Sequence, residues 1–212
     1  MMSKESKLRE EIVRVAESLF ARGYTHGTTG NISVPLPDGL LVTPTGCSLG
    51  TLDPGRLAKL DNEGKLISGD KPTKEAFLHQ SVYRRRLQTG AVIHLHSTYS
   101  VAFSCLHCED TSDALPKLTA YSHMQCGNVA LLPYFRPGDP ELAKAVAEKA
   151  AKHHTILLAH HGPVVAGKDL SSAMAATEEL EQTAKLALLL RTFNPNVLSG
   201  QQIQELNDTF PS

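Results

Sequence analysis

The sequence has no excess of charge, no long apolar run and little cysteine, and each shortage removes a class of function. Its 21 Lys and Arg nearly balance 22 Asp and Glu, leaving a net charge of −1 with the histidines neutral. No overall field therefore draws the chain to nucleic acid or to anionic lipid. The longest apolar stretches, such as Ile156 to Ala159, fall far short of the ~20 residues that a membrane-spanning helix requires. The start, Met1 to Lys7, lacks the apolar core of a secretory leader. Without one, the four cysteines read as reduced thiols rather than a disulfide framework. The expected setting is the cytoplasm, with no membrane and no nucleic-acid partner. No repeat, low-complexity tract or linker interrupts the chain. Its 212 residues suffice for a substantial core, and we read 1–212 as one domain. What the sequence holds in plenty is histidine, ten of them with several clustered, and that points to metal chemistry.

Helical and strand periodicities mix along the chain. Leu8, Ile12, Val15, Leu19 and Phe20 recur at helical spacing, with Ser3 or Ser6 as cap and Gly23 as terminator. Ile32–Val34 and Leu40–Val42 read as strands about the Pro37-Asp38-Gly39 turn. Leu57–Leu60 and Lys65–Ile67 flank a bend at residues 61–64. Thr73 is expected to open a helix to about Leu87, with Phe77, Leu78, Val82 and Tyr83 facing inward. Ala91 to Tyr99 reads as a buried strand running into a helix, and Val129–Leu132 as another strand. Residues 136–140 form a turn ending in an N-cap and a first-turn proline, so a helix should follow to about Lys152. Thr155–Ala159 and Val164–Ala166 are strands joined through His160-His161-Gly162-Pro163, and a long helix runs from Ser172 to about Arg191. The class is α/β, without a strict βαβ rhythm.

The chemistry gathers in the histidines. In His94-Leu95-His96 the side chains at i and i+2 of a strand share a face, so both imidazoles can converge on one ion. Alternating polar residues can merely line a wetted strand, but Ala91, Val92, Ile93 and Leu95 make this run apolar, so its histidines need partners. His161, ahead of Gly162 at a strand end, offers a third nitrogen. Three histidines with an open position is the arrangement of a catalytic zinc. Glu75 reads, taken alone, as a carboxylate in the first turn of the Thr73 helix, complementing its dipole. The loops Gly27-Thr28-Thr29-Gly30-Asn31 and Thr43-Pro44-Thr45-Gly46 supply small residues, hydroxyls and free amides that suit a phosphate. A rival metal site, Cys105, Cys108, His123 and Cys126, has the spacing of a structural zinc, although plain thiols in a reducing compartment explain it as well.

Taken together, Gly-Thr-Thr-Gly-Asn-Ile-Ser, Thr-Pro-Thr-Gly, Lys-Pro-Thr-Lys-Glu, His-Leu-His-Ser and His-His-Gly-Pro, in this order, resemble the class II aldolase/adducin family. The likeness spans nearly the whole chain, up to the helix ending near Arg191. It implies a three-layer α/β/α fold with a mainly antiparallel central sheet, commonly assembled as a homotetramer with sites at subunit interfaces. It implies one zinc ion per subunit held by His94, His96 and His161. Glu75 matches the catalytic acid/base, which also touches the metal when substrate is absent. Gly30, Asn31, Thr45 and Gly46 match the phosphate loops, and Thr73 with Lys74 the remaining phosphate contact. Tyr121 is the nearest match to a tyrosine that assists catalysis from a neighbouring subunit.

Lys74 departs from the sugar-phosphate aldolases, which tend to have a small hydroxyl residue there. With residues 68–75, Asn128-Val129 and residues 134–139, it makes the chain look most like the 3-oxo-tetronate 4-phosphate decarboxylase subgroup. The substrate implied is a small phosphorylated sugar acid, converted to dihydroxyacetone phosphate and carbon dioxide through an enediolate. A fuculose-phosphate-type aldolase, an epimerase and a metal-free adducin-like structural domain remain as alternatives at this point.

Overall fold

The computed structural model describes residues 3–136 and 138–210; Met1 and Met2, and Pro137 of the turn expected over 136–140, lie outside them. The first helix, α1 (Lys4–Ala21), starts where the Ser3 side chain accepts the Ser6 amide, an N-cap that satisfies one orphan donor of the first turn. The strands β1 (Asn31–Leu36) and β2 (Gly39–Val42) form a hairpin, followed by β3 (Ala58–Leu60) and β4 (Leu66–Ser68). Next come α2 (Ala76–Arg85), β5 (Ala91–His94), α3 (Thr98–Ser104), α4 (Ala120–Cys126) and β6 (Val129–Leu132). The chain continues through α5 (Pro140–Ala150), β7 (Thr155–Leu158), β8 (Gly162–Gly167), α6 (Leu170–Leu189) and α7 (Gly200–Thr209).

Among the described residues the eight strands make one sheet in the order β4-β3-β2-β1-β5-β8-β7-β6. Every neighbouring pair is antiparallel except β6 and β7. The parallel pair is linked through α5, since parallel neighbours need a crossover. Helices cover both faces. Strand residues alternate between them, which is the period-two rule at work. On β5, Ala91 and Ile93 pack with α1 and the start of α6, whereas Val92 packs with α2 and α5. On β1, Ile32 and Val34 face the α1 layer, so Asn31 and Ser33 face the other. On β8, Val165 packs with α6, and Val164 and Ala166 with α5. This is the expected α/β/α sandwich around a mostly antiparallel sheet.

Two local expectations need correction. The helix expected from Thr73 begins at Ala76, and Glu75 is its N-cap residue without a capping side-chain bond. The reason lies just upstream, where residues 71–73 are drawn into sheet-like pairing. Pro72 bridges Pro44, Thr45 donates to the Lys71 carbonyl (2.9 Å), and Thr73 donates to the Thr43 carbonyl (3.1 Å). Nor does β5 continue through His96. It ends at His94, though Leu95 still donates to the Pro163 carbonyl at 3.3 Å, so the i, i+2 geometry persists one step beyond the strand. No helix among the described residues is long and apolar enough to cross a membrane.

Candidate metal centre and its two cavities

Strand register brings the polar residues of the second face together. Asn31 stands opposite His94 across β1 and β5, and His94 opposite Val164 across β5 and β8. His161 sits just before β8. Here Gly162 is required: its φ is +145°, and a Cβ would lie 2.2 Å from the Leu95 carbonyl oxygen, so only glycine lets the chain pass this close. Gly30 does the same on the other side, with φ +83° and a virtual Cβ 2.9 Å from the Leu95 side chain. The result is a ring of four groups. The ligand atoms of Glu75, His94, His96 and His161 all lie within 4.8 Å of one another. His94 Nε2 is 3.2 Å from His96 Nε2, and the Glu75 carboxylate is 3.1 Å from His161 Nε2 and 3.5 Å from His94 Nε2.

The protonation states fit a metal ion. His94 is fully buried, and its Nδ1–H donates to the Pro163 carbonyl at 2.7 Å. That bond fixes the tautomer and leaves the Nε2 lone pair facing the cluster. Burial pushes the His94 imidazole below its ordinary value and, with charge from His94 and His161, takes His96 down to about 4. Both are therefore neutral at pH 7, the form that ligates. Burial alone would favour a protonated Glu75. The pull of His94 and hydrogen bonds from His161 and Asn31 outweigh it and hold the carboxyl below the usual range. Neutral imidazoles around a carboxylate are the donor set of a divalent ion such as zinc.

A buried polar chain, absent from the sequence reading, stands behind Glu75. Asn31 Nδ2 donates to Glu75 Oε2 at 2.7 Å, and the His79 Nε2–H donates to Asn31 Oδ1. His79 Nδ1 then accepts from the Ser33 hydroxyl at 2.7 Å, beside Tyr83. The Asn31 amide is thereby oriented with its NH2 toward the carboxylate. The one hint in the sequence was a histidine beside Leu78 on the inward face of α2. Burial takes His79 down to about 3, so between that value and the ordinary 6.5 the unfolded chain binds a proton that the folded chain does not. Stability from this group is complete above pH 6.5 and declines as pH falls below it. Replacing His79→Gln, which keeps a donor for Asn31, should flatten the pH dependence of metal-free unfolding by about one proton, or about 1.4 kcal/mol per pH unit, between about pH 6 and 4. Denaturant titrations at a series of pH values would read this slope; an unchanged slope would mean that His79 charges freely in the fold.

Two cavities meet at the histidines. One, of about 470 Å³, is lined by Gly30, Asn31, Thr45, Gly46, Thr73, Lys74, Glu75 and His96, with Thr28, Thr29, Pro44 and Gly138. All six residues expected to bind phosphate thus border one space, because the Pro44–Pro72 bridge ties the second and third loops together. Lys74 is exposed and forms no ion pair among the described residues. The second cavity, of about 550 Å³, adjoins His96 and His161 from another side and includes His26, Thr98, Tyr134 and His160. Tyr121, on α4, is 67% exposed and lines neither cavity. The rival cysteine set does not gather: Cys105 is exposed at the end of α3, Cys126 is buried with its thiol pushed up to about 12 by burial, and His123 bonds Asn207.

The chain is similar to known proteins. Residues 10–188 match the model of the class II aldolase and adducin N-terminal domain. The chain is 50% identical over 203 residues to a 3-oxo-tetronate 4-phosphate decarboxylase of Escherichia coli strain K12, covering 95% of this chain and 96% of that one. It is 35% identical to an L-fuculose phosphate aldolase of Methanocaldococcus jannaschii, covering 85% and 96%. The crystal structure of YgbL from Escherichia coli superposes with a TM-score of 0.93 at 48% identity, covering 96% of this chain and 99% of that one. The chain belongs to the class II aldolase and adducin family.

Proposed function

We propose that this protein is a zinc-dependent carboxy-lyase that converts a 3-oxo-tetronate 4-phosphate to dihydroxyacetone phosphate and carbon dioxide. One observation carries the proposal: a carboxylate and three imidazoles converge where a cavity lined by two small-residue loops and a lysine ends. The name and the 50% identity of the decarboxylase relative favour this reaction over the aldol cleavage of the 35% identical relative. In this reading His94, His96 and His161 hold the zinc, with Glu75 as a further ligand before substrate arrives. Bound there, zinc supplies Lewis acidity that favours negative charge on nearby substrate oxygens.

The chain's own residues do the rest. The Gly30-Asn31 and Thr45-Gly46 loops, Thr73 and Lys74 take the phosphate on C4 and so fix the acid in place. The C1–C2 bond breaks, its electron pair stays on C2 in conjugation with the C3 carbonyl, and carbon dioxide leaves. Released from its histidine partners when substrate arrives, Glu75 takes a proton from solvent and gives it to C2 as general acid. Asn31, held by His79, keeps the carboxylate aimed. We read residues 1–212 as one domain acting in the cytoplasm. Exposed Tyr121, Leu189 and Phe193 favour assembly with further copies as a homotetramer, in which Tyr121 would serve a neighbouring site. Run in deuterated water, the reaction should place one deuterium on the hydroxymethyl carbon of dihydroxyacetone phosphate, as NMR would show; product without deuterium would rule out solvent as the source of the proton that Glu75 delivers to C2.

Lys74 gives a second test. It borders the phosphate cavity, so Lys74→Ser should raise the Michaelis constant at least about tenfold, equivalent to about 1.4 kcal/mol, with zinc content unchanged. Unaltered substrate affinity in that variant would make Lys74 a bystander.

A further inference from the structure

If Lys74 and the phosphate loops serve one end of the substrate, the carboxylate at the other end needs a different place, and the second cavity offers it. We propose that the pocket bounded by His26, Tyr134 and His160 is the carboxylate subsite; this rests on the decarboxylase reading above. The two cavities share His96, and the second also borders His161. A four-carbon acid whose middle carbons lie at the histidines therefore directs its phosphate into one cavity and its carboxylate into the other.

His160 carries a second mark. Its φ is +59°, the one left-handed non-glycine backbone among the described residues. Such a conformation is uncommon outside glycine, and points to a position held for a reason. The turn holds it there between Leu158 and Gly162, which pair across β7 and β8, and the Ser104 hydroxyl accepts the His160 amide at 3.0 Å. The side chain meets Tyr134 edge to face, ring centroids 6.2 Å apart. Two side chains that carry hydrogen-bond donors, an imidazole and a phenol, thus border the pocket from two separate loops.

The chemistry of these donors suits the task. No lysine or arginine lines this cavity among the described residues. The carboxylate departs as neutral carbon dioxide, so any strong ion pair made in the ground state is lost in the transition state and raises the barrier. Hydrogen-bond donors without a fixed cation hold the group while stabilising its charge less. A lysine serves the phosphate, whose charge does not change.

The test uses the zinc-loaded protein and two unreactive ligands, a tetronate 4-phosphate with an alcohol at C3 and the tetritol 4-phosphate that differs only by a hydroxymethyl group in place of the carboxylate. Calorimetric titration should show the parent preferring the acid by about tenfold or more, as expected for hydrogen bonds to a charged group. His160→Gly relieves the left-handed backbone and should bring the preference within about twofold, with tetritol phosphate affinity unchanged. His160→Asn, which tolerates this conformation and keeps an amide donor, should restore part of it. A parent without preference, a preference that survives His160→Gly, or equal weakening of both ligands would overturn the proposal. The reaction itself is judged separately, by carbon dioxide release from the parent. A subsite that fails while carbon dioxide is released leaves the reaction intact, and the reverse result leaves the subsite intact.

Discussion

Changing His96→Ala or His161→Ala is expected to take bound zinc from about one ion per chain to near none after dialysis, and activity down by about a thousandfold or more, because two imidazoles and the Glu75 carboxylate, which must also serve the reaction, hold the ion far more weakly than the full set. These two positions are better probes than His94. Both are partly exposed, whereas His94 is fully buried and donates to the Pro163 carbonyl; its removal would open a hole in the packed interior and confuse metal loss with misfolding. The variants should keep the circular dichroism of the metal-free parent. Elemental analysis of dialysed protein reads the result directly. Stoichiometric metal in both variants, together with its loss in Cys105→Ser, would move the site to the thiols, which the structure holds apart.

Replacing Glu75→Gln should lower kcat by about a hundredfold or more, the usual worth of a positioned general acid, while fold and metal survive. The substitution is nearly isosteric, and the new amide oxygen can still accept from Asn31, which donates to Glu75 at 2.7 Å. Stability of the metal-free protein should fall modestly, since the carboxylate that His94, His161 and Asn31 stabilise is removed. The KM should change little, because Glu75 handles a proton rather than the phosphate. Turnover within a few-fold of the parent would leave Glu75 as a helix-capping residue with no part in the chemistry.

Much of this was legible in the sequence, for definite reasons. β6 reads to the residue, Val129–Leu132, because a short apolar run between turn residues has few other uses. His94 and His96 announce themselves as polar residues in an otherwise apolar strand. The long helix begins two residues earlier than its expected Ser172, at Leu170, since Asp169 and Ser172 form a capping box. The helices α4 and α7 were missed. Short α4 lacks apolar periodicity and is held by packing on α6, which no local pattern encodes. The Ser199–Gln202 capping box of α7 is a sequence signal, but the helix is short and buries no residue. The His79–Asn31–Glu75 chain joins residues 44 and 48 positions apart, and only tertiary packing brings them into contact. The same holds for His26, Tyr134 and His160. The start of α2 was misplaced because the pull of Pro44 on Pro72 is long-range.

Carbon dioxide counted against dihydroxyacetone phosphate is the most direct test of the whole account. Purified, zinc-loaded protein is given the D- and L-series 3-oxo-tetronate 4-phosphates in turn, and fuculose 1-phosphate in parallel. The expected result is equimolar carbon dioxide and dihydroxyacetone phosphate from one of the two acids, abolished by a chelator, with no cleavage of the sugar phosphate. Dihydroxyacetone phosphate and an aldehyde from fuculose 1-phosphate, with no carbon dioxide from either acid, would contradict it.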